Sequence, residues 1–320
     1  MGFDSRPKPQ LVSVQKIWDH SPHNALTDLI YFNERWWCVF RESDAHVGGR
    51  DGNIRLVVSS DGVQWTSAAN FSENGVDLRD PKLSKTPEGL LMLLAGGTIY
   101  RNKKYVSRQS LVAFSENGND WSPLTPIIAP HEWLWRLTWH QDKAYGVSYR
   151  HSDPNDIKKE WIVSLFETSD GLNYHKLIVW DIPGYPSETT LRFLPSGDMV
   201  ALVRREKHLQ NQAWIGVSTP PFIAWKWYPA TLHVGGPNFL IFEDQSMLAG
   251  GRLCLISPYG LREKTMLASM DLNEITPLIL LPSGGDCSYP GMVFREGELW
   301  FSYYSSHEGR TSIYLARFKF

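Results

Sequence analysis

The sequence has few cysteines and no concentration of positive charge. Cys38, Cys254 and Cys287 are the only cysteines among 320 residues. An odd number without a Cys-x-x-Cys pair does not predict a disulfide framework or a zinc site. The net charge is -2 at pH 7 and no basic tract occurs, which argues against nucleic acid as a partner. No set of acidic residues indicates a metal site, and we expect no cofactor.

A long apolar segment is also missing. No run approaches the roughly 18 apolar residues that a transmembrane helix needs, so no membrane span is predicted. The N-terminus has no apolar core of a signal peptide. We therefore expect a cytoplasmic protein without a membrane partner, unless a leader has been removed. The sequence does not indicate the oligomeric state.

What the sequence does contain is a hairpin pattern that recurs six times, while helical periodicity is almost absent. Each copy has an apolar strand pattern, a turn such as residues 87–89 or 195–197, and a second strand pattern. Successive copies begin 50 to 56 residues apart, and their first residues are Asp28, Asp80, Arg136, Glu188, Asn238 and Tyr289. A fixed period of this size is typical of propellers and solenoids. Four strands per unit and six units predict an all-β, six-bladed β-propeller that residues 1–320 form as a single domain.

The two ends of the chain predict how the ring closes. Residues 312–320 have the pattern of a third strand without a fourth, and residues 10–18 that of a fourth strand without a blade. If the N-terminal strand pairs in the last blade, the ring closes and no free strand edge remains.

A short turn motif follows three of the hairpins, at residues 59–65, 115–121 and 168–174. In each copy Asp or Asn followed by Gly makes a tight turn, and an aromatic residue at the end anchors it. We expect this motif to be structural and to carry no chemistry.

The innermost strands of a propeller line its channel, so the six residues that open the repeats are expected to meet at one mouth. Such a ring of charges requires partners or a ligand; a hydrated channel with paired charges is the alternative. Several second strands end in arginine, at Arg41, Arg150, Arg204, Arg205 and Arg252. Guanidinium groups around one channel suit an anionic ligand, although each could instead pair with a nearby acid.

The repeat, the turn motif and three local segments resemble the sialidase superfamily over nearly the whole chain. The turn motif is similar to the Asp box, one residue shorter. Residues 187–204 are similar to the blade with the catalytic Glu and a carboxylate-binding Arg, which would be Glu188 and Arg204. Residues 287–293 are similar to the segment with the nucleophilic Tyr, which would be Tyr289. Residues 40–46 fall where sialidases carry an Arg and then a loop acid, which would be Arg41 followed by Asp44 or His46.

The arginine triad of the family is incomplete here. Residues 22–28 replace the Arg-Ile-Pro motif, and no third arginine matches near residues 233–238, although Arg252 could substitute for it. Further residues that would fit a remodelled sugar-binding pocket are His23, Asp28, Arg79, Asp80, Trp135, Arg136, Asn238 and His307.

The resemblance implies a glycoside hydrolase, exo-acting on an acidic sugar of the sialic, ulosonic or uronic type. A carboxylate at the anomeric carbon would repel a carboxylate nucleophile, whereas a neutral Tyr deprotonated by a neighbouring Glu avoids that repulsion. One alternative is a polysaccharide lyase acting on a uronate. Another is a non-catalytic propeller that binds a glycan or a protein.

Overall fold

The computed structural model describes residues 8–153, 160–206, 212–257 and 260–320. These residues form 24 β-strands and no helix, so none of them belongs to a helix that could cross a membrane. The strands build six four-stranded blades arranged as a ring, and the predicted six-bladed propeller is confirmed.

In each blade the strands run antiparallel from the channel to the rim. The first blade consists of β2 (His23–Phe32), β3 (Arg35–Ser43), β4 (Asn53–Ser59) and β5 (Thr66–Phe71). The second blade consists of β6 (Asp77–Lys85), β7 (Leu91–Arg101), β8 (Lys104–Ser115) and β9 (Thr125–Ile127). The third blade consists of β10 (Trp133–His140), β11 (Lys143–His151), β12 (Trp161–Thr168) and β13 (His175–Trp180).

The second half of the chain repeats this arrangement. The fourth blade consists of β14 (Pro186–Phe193), β15 (Met199–Arg205), β16 (Trp214–Ser218) and β17 (Lys226–Pro229). The fifth blade consists of β18 (Gly235–Ile241), β19 (Met247–Ser257), β20 (Gly260–Met270) and β21 (Ile275–Leu280). The sixth blade consists of β22 (Cys287–Arg295), β23 (Glu298–Glu308), β24 (Arg310–Lys319) and, from the other end of the chain, β1 (Gln10–Trp18).

The N-terminal strand closes the ring as predicted. β1 pairs antiparallel with β24, with Gln10 opposite Lys319 and Lys16 opposite Tyr314. The outer edge of the sixth blade is therefore supplied by the opposite end of the chain, which ties the last blade to the beginning of the first.

Every inner strand carries a β-bulge near its start. At each bulge, three residue steps along the inner strand lie opposite two steps along the second strand. In chain order the bulges lie between Ala25 and Asp28, Arg79 and Lys82, Leu134 and Leu137, Pro186 and Thr189, Gly235 and Asn238, and Ser288 and Gly291. A bulge re-aims side chains and ends regular pairing. In four blades the first bulged residue has a positive φ, at Leu26, Asp80, Gly236 and Tyr289.

The three turn motifs share one geometry and pack against the neighbouring blade. In the first, the Ser59 hydroxyl accepts the Gly62 N–H (2.8 Å) and the Trp65 ring N–H donates to the Gly62 carbonyl (3.1 Å). A Cβ on Gly62 would lie 2.3 Å from the Trp300 ring of the sixth blade. Glycine here lets the turn approach the preceding blade closely, which is a structural role.

Candidate functional site

A cavity of about 400 Å³ opens where the inner strands begin and the second strands end. Its walls come from the bulges and from loops of the blades around the ring. The predicted site residues that line it are His46, Arg79, Asp80, Glu188, Arg204, Arg252 and Tyr289.

At one wall of this cavity a tyrosine and a glutamate share a short hydrogen bond. The Tyr289 hydroxyl donates to Glu188 Oε1 at 2.5 Å. Arg204 Nη1 donates both to Glu188 Oε2 (2.7 Å) and to the Tyr289 oxygen (3.0 Å). Residues 101 positions apart in the chain are thus in direct contact, because the fourth and sixth blades converge on the channel.

The environment keeps the glutamate ionised and the tyrosine neutral. Burial raises the pKa of Glu188, but the charge of Arg204 and the hydrogen bond from Tyr289 outweigh it, so the net shift is downward. Burial and the neighbouring Glu188 charge raise the pKa of Tyr289 well above its ordinary value. A neutral phenol next to a carboxylate is the starting state for a nucleophile whose base is already in place.

The bulge of the fifth blade supports this pair. The Gly236 N–H donates to Glu188 Oε2 at 2.9 Å. Gly236 has φ +57°, and the Tyr289 ring occupies the space that a side chain would need, since a Cβ would lie 2.5 Å from Tyr289 Cδ2. Only glycine satisfies both the left-handed backbone and the contact with the ring.

Arginines surround the pair but are largely engaged. Arg252 lies with Cζ 5.3 Å from the centre of the Tyr289 ring, and its Nη1 donates to Glu263 at 3.2 Å. Arg204 Nη2 lies 3.6 Å from Glu206. The Nε–H groups of Arg204 and Arg252 are buried and have no hydrogen-bond partner among the described residues. Both side chains line the cavity, so their positive charge favours an anionic ligand there.

Asp80 is the second carboxyl group of the cavity. Burial raises its pKa, although the charges of Arg79 and Lys82 oppose the shift. Arg79 itself donates to Asp77 (3.1 Å) and to the His46 carbonyl (2.7 Å). Glu206 also lines the cavity, and burial raises its pKa as well. The cavity therefore contains one carboxyl group whose pKa is lowered and two whose pKa is raised, a combination that suits acid–base chemistry.

The opposite wall is aromatic, and sequence reasoning named none of its residues. It contains Tyr100, Tyr105, Trp133, Tyr149 and Trp161. Tyr149 and Trp161 are stacked with centroids 5.2 Å apart. Trp133 and Trp161 begin β10 and β12, and Tyr149 lies near the end of β11. These places were a usable signal, because the inner strands begin and the second strands end at this mouth.

Asp286 was also missed, and it joins two histidines. Its Oδ2 lies 2.7 Å from His46 Nδ1 and 2.8 Å from His23 Nε2, and its Oδ1 accepts the Tyr304 hydroxyl at 2.8 Å. In the sequence it lies between two glycines and a cysteine, and that context gives no sign of the contacts that the first and sixth blades bring to it.

Three residues that open repeats, Asp28, Arg136 and Asn238, are buried and do not line the cavity, which corrects the prediction that all six share the mouth. Asp28 is buried and accepts Arg136 Nη1 (2.9 Å) and the Leu83 N–H (2.9 Å). Asn238 is buried and donates to the Pro290 carbonyl at 3.0 Å. The bulge explains this for Asp28 and Asn238, which follow it in the regular strand, whereas Tyr289 lies within it. Arg136 also lies within its bulge, but its ion pair with buried Asp28 holds it out of the cavity lining.

Arg41 and Asp44 are also placed away from the cavity. Arg41 is buried and donates through Nε (2.9 Å) and Nη2 (2.7 Å) to Asp77, so its charge is satisfied within the protein. Asp44 is exposed and accepts the Arg50 N–H at 2.8 Å, which closes its loop. Neither residue lines the cavity.

Trp135, His23 and His307 support the site or lie beside it. Trp135 is buried and packs its ring edge against Tyr289, with centroids 5.4 Å apart. His23 is buried against Asp286. His307 bonds within its own strand β23. They do not belong to the cavity lining, and a direct contact of these residues with substrate stays a prediction.

Comparison with known proteins identifies the fold. No family model matches the sequence, and no curated protein matches it. Among solved structures, a protein of unknown function from Dyadobacter fermentans has 19% identity and a TM-score of 0.81, covering 98% of this chain and 100% of its own. The Penicillium chrysogenum alpha-L-arabinanase complexed with arabinobiose has 13% identity and a TM-score of 0.70, covering 96% and 98%. The Trypanosoma rangeli sialidase in complex with the inhibitor DANA has 11% identity and a TM-score of 0.65, covering 97% and 60%.

Proposed function

We propose that the protein is a glycoside hydrolase, exo-acting on an acidic sugar, with Tyr289 as nucleophile and Glu188 as its base. The observation that carries the proposal is the 2.5 Å hydrogen bond from the Tyr289 hydroxyl to Glu188 inside an open cavity. Solved structures of the same fold include proteins named as a sialidase and an arabinanase, which supports the proposal of glycoside chemistry.

In the proposed reaction Glu188 takes the phenolic proton as the Tyr289 oxygen attacks the anomeric carbon. The Arg204 contact to the same oxygen, at 3.0 Å, stabilises the negative charge that develops on it. Water then hydrolyses the tyrosyl intermediate, and the proton returns from Glu188 to Tyr289. Because each of the two displacements inverts the anomeric carbon, the configuration of the sugar is retained overall.

An acidic substrate is favoured by the arginines of the cavity. Arg204 and Arg252 flank the nucleophile, and both line the cavity. Their positive charges would offset the cost of desolvating a sugar carboxylate that binds beside them. Because Arg41 is already paired with Asp77, this contact differs from the complete three-arginine clamp of the sialidases that the sequence resembles.

A uronate lyase is the second function to test, because a histidine and a tyrosine face one cavity with arginines. In that reaction Tyr289 or His46 would abstract the proton α to the carboxylate, and elimination would leave an unsaturated sugar that absorbs in the ultraviolet. Hydrolysis gives no such product.

The test is a screen of 4-nitrophenyl and 4-methylumbelliferyl glycosides of sialic, other ulosonic and uronic acids, together with uronate polymers. Wild type is compared with Tyr289→Phe and Glu188→Gln, and with Tyr228→Phe on the outermost strand of the fourth blade as a matched control. We expect release of the aglycone by wild type and by the control, and a loss of at least about 10³-fold in both site variants. Detection of an unsaturated product would mean that the protein is a uronate lyase and not a hydrolase. Binding of acidic glycans without turnover, unchanged in both site variants, would leave only a binding function.

A further inference from the structure

We propose that His46, held by Asp286, is the proton donor to the leaving group and later the base for the attacking water. This proposal rests on the proposed function and assigns the acid–base group of the same site. It also gives Asp286, His23 and Tyr304 a role as positioning residues.

The hydrogen bonds fix which nitrogen of His46 is available. Asp286 Oδ2 lies 2.7 Å from His46 Nδ1, and a carboxylate can only accept, so Nδ1 carries a proton. The second ring nitrogen, Nε2, is then the one left for a reacting group. The His46 side chain is 39% exposed and lines the cavity. A histidine held by a carboxylate at one nitrogen and open at the other is the usual arrangement of a proton-transfer residue.

Asp286 is itself held from several sides. His23 from β2 contacts Oδ2 at 2.8 Å, and Tyr304 from β23 donates to Oδ1 at 2.8 Å. Burial raises the pKa of Asp286, but the hydrogen bonds from His23 and His46 and the contact with Tyr304 more than offset it and lower the pKa. The carboxylate therefore stays charged and holds the His46 ring through its Nδ1–H. The backbone of His46 is fixed as well, because its carbonyl accepts Arg79 Nη1 at 2.7 Å.

The other carboxyl groups near the cavity are weaker candidates for this role. Asp44 is exposed, and the Arg50 N–H holds its pKa below the ordinary value, so it is a poor proton donor as well as being outside the cavity lining. Asp80 does line the cavity and its pKa is raised. Glu206 lines the cavity too, and burial raises its pKa, but its Oε1 already accepts the Ser187 hydroxyl at 2.7 Å. Asp80 is therefore the rival that the experiment must separate from His46.

The proposed steps balance in protons and bonds. In the first, the Tyr289 oxygen bonds to the anomeric carbon, its proton passes to Glu188, the glycosidic C–O bond breaks, and the leaving oxygen takes the proton of His46 Nε2. In the second, water attacks the anomeric carbon and gives a proton to His46. The bond to Tyr289 breaks as the bond to water forms, and the tyrosine recovers its proton from Glu188. Tyr289, Glu188 and His46 all end in their initial protonation states.

The test compares substrates that differ only in the leaving group, because acid catalysis matters little when the leaving group is already a weak base. The 4-nitrophenyl glycoside of the donor identified above is compared with the methyl or disaccharide glycoside of the same sugar. His46→Gln, Asp286→Asn and Asp80→Asn are measured beside His175→Gln, the same change at an exposed histidine on β13. Thermal unfolding checks that each variant is folded.

We expect His46→Gln to lower kcat by about 10²–10⁴-fold for the methyl or disaccharide glycoside and by less than about 10-fold for the 4-nitrophenyl glycoside. Asp286→Asn should lower kcat less, again with a larger effect on the methyl or disaccharide glycoside than on the 4-nitrophenyl glycoside. His175→Gln should leave kcat unchanged for both. If attack of water on the intermediate limits turnover of the 4-nitrophenyl glycoside by His46→Gln, sodium azide should restore that turnover. Azide needs no base to attack, and the product should be a glycosyl azide.

Three results would overturn the assignment. Equal losses for both leaving groups would mean that His46 is structural, and a leaving-group-dependent loss in Asp80→Asn alone would assign the proton to Asp80. The ligand atoms of His23, His46 and Asp286 also lie within 4.8 Å of one another, a spacing that a divalent cation accepts. Loss of activity on dialysis against EDTA, with recovery in Zn²⁺, would therefore mean that these three residues bind a metal ion and that His46 is not the proton donor. If wild type cleaves no donor at all, the proposed function has failed before this question arises.

Discussion

Gly236→Ala provides a sharp test of how the site is positioned, because this residue contributes only backbone. A Cβ at this position would lie 2.5 Å from Tyr289 Cδ2 and 2.7 Å from Cγ, about 1 Å closer than ordinary contact. The Tyr289 ring must therefore move. A displacement of about 1 Å at a reacting group costs roughly 10²-fold in rate, so we expect kcat to fall by about that factor. The left-handed φ of +57° adds a loss of about 1–2 kcal/mol in unfolding free energy.

Gly197→Ala separates these two effects. Gly197 has φ +88° in the β14–β15 turn, and nothing lies within 4 Å of its added Cβ. Both variants should lose similar stability in urea unfolding, while only Gly236→Ala loses activity on the donor found in the glycoside screen. Full activity of Gly236→Ala, or an equal rate loss in Gly197→Ala, would contradict the idea that Gly236 sets the position of the nucleophile.

Two further changes test the electrostatics. Glu188 must be ionised to accept a proton, and its pKa is lowered, so the acid limb of the wild-type kcat/KM profile should lie below the ordinary pKa of glutamic acid. Arg204→Met removes the main charge that opposes burial, so the limb should move to higher pH, and an unmoved limb would mean that Glu188 is not the base. Asp28→Asn leaves buried Arg136 without its counter-charge, and we expect a loss of about 3–5 kcal/mol in urea unfolding; a loss below about 1 kcal/mol would show that the pair is not needed for stability.

The fold followed from local patterns. Alternating apolar strands, turn residues at fixed places and a period near 50 residues are all properties of short segments, and six copies leave little choice of architecture. The closure of the ring followed from counting strands at the two ends, and the pairing of β1 with β24 confirms it.

The site was harder to predict because it depends on one extra residue per inner strand. The bulge leaves the apolar pattern of the strand intact, so the sequence gives no sign that Asp28 falls after it and Tyr289 within it. For the same reason the pairing of Arg41 with Asp77, 36 positions away, was not foreseen. Contacts such as those of Asp286, which join the first and sixth blades, require the closed ring before they exist.

The central claim is that Tyr289 bonds to the sugar during the reaction. A fluorine next to the anomeric centre of the sugar destabilises the oxocarbenium-like transition states. A derivative of the accepted acidic sugar with fluoride as the leaving group on the anomeric carbon and a second fluorine on the neighbouring carbon should therefore leave the glycosyl group on the enzyme. After incubation and proteolysis, mass spectrometry should find that group on the peptide containing Tyr289, and no adduct should form in Tyr289→Phe. An adduct on Glu188 or another residue, or inactivation with Tyr289 unmodified, would contradict the account.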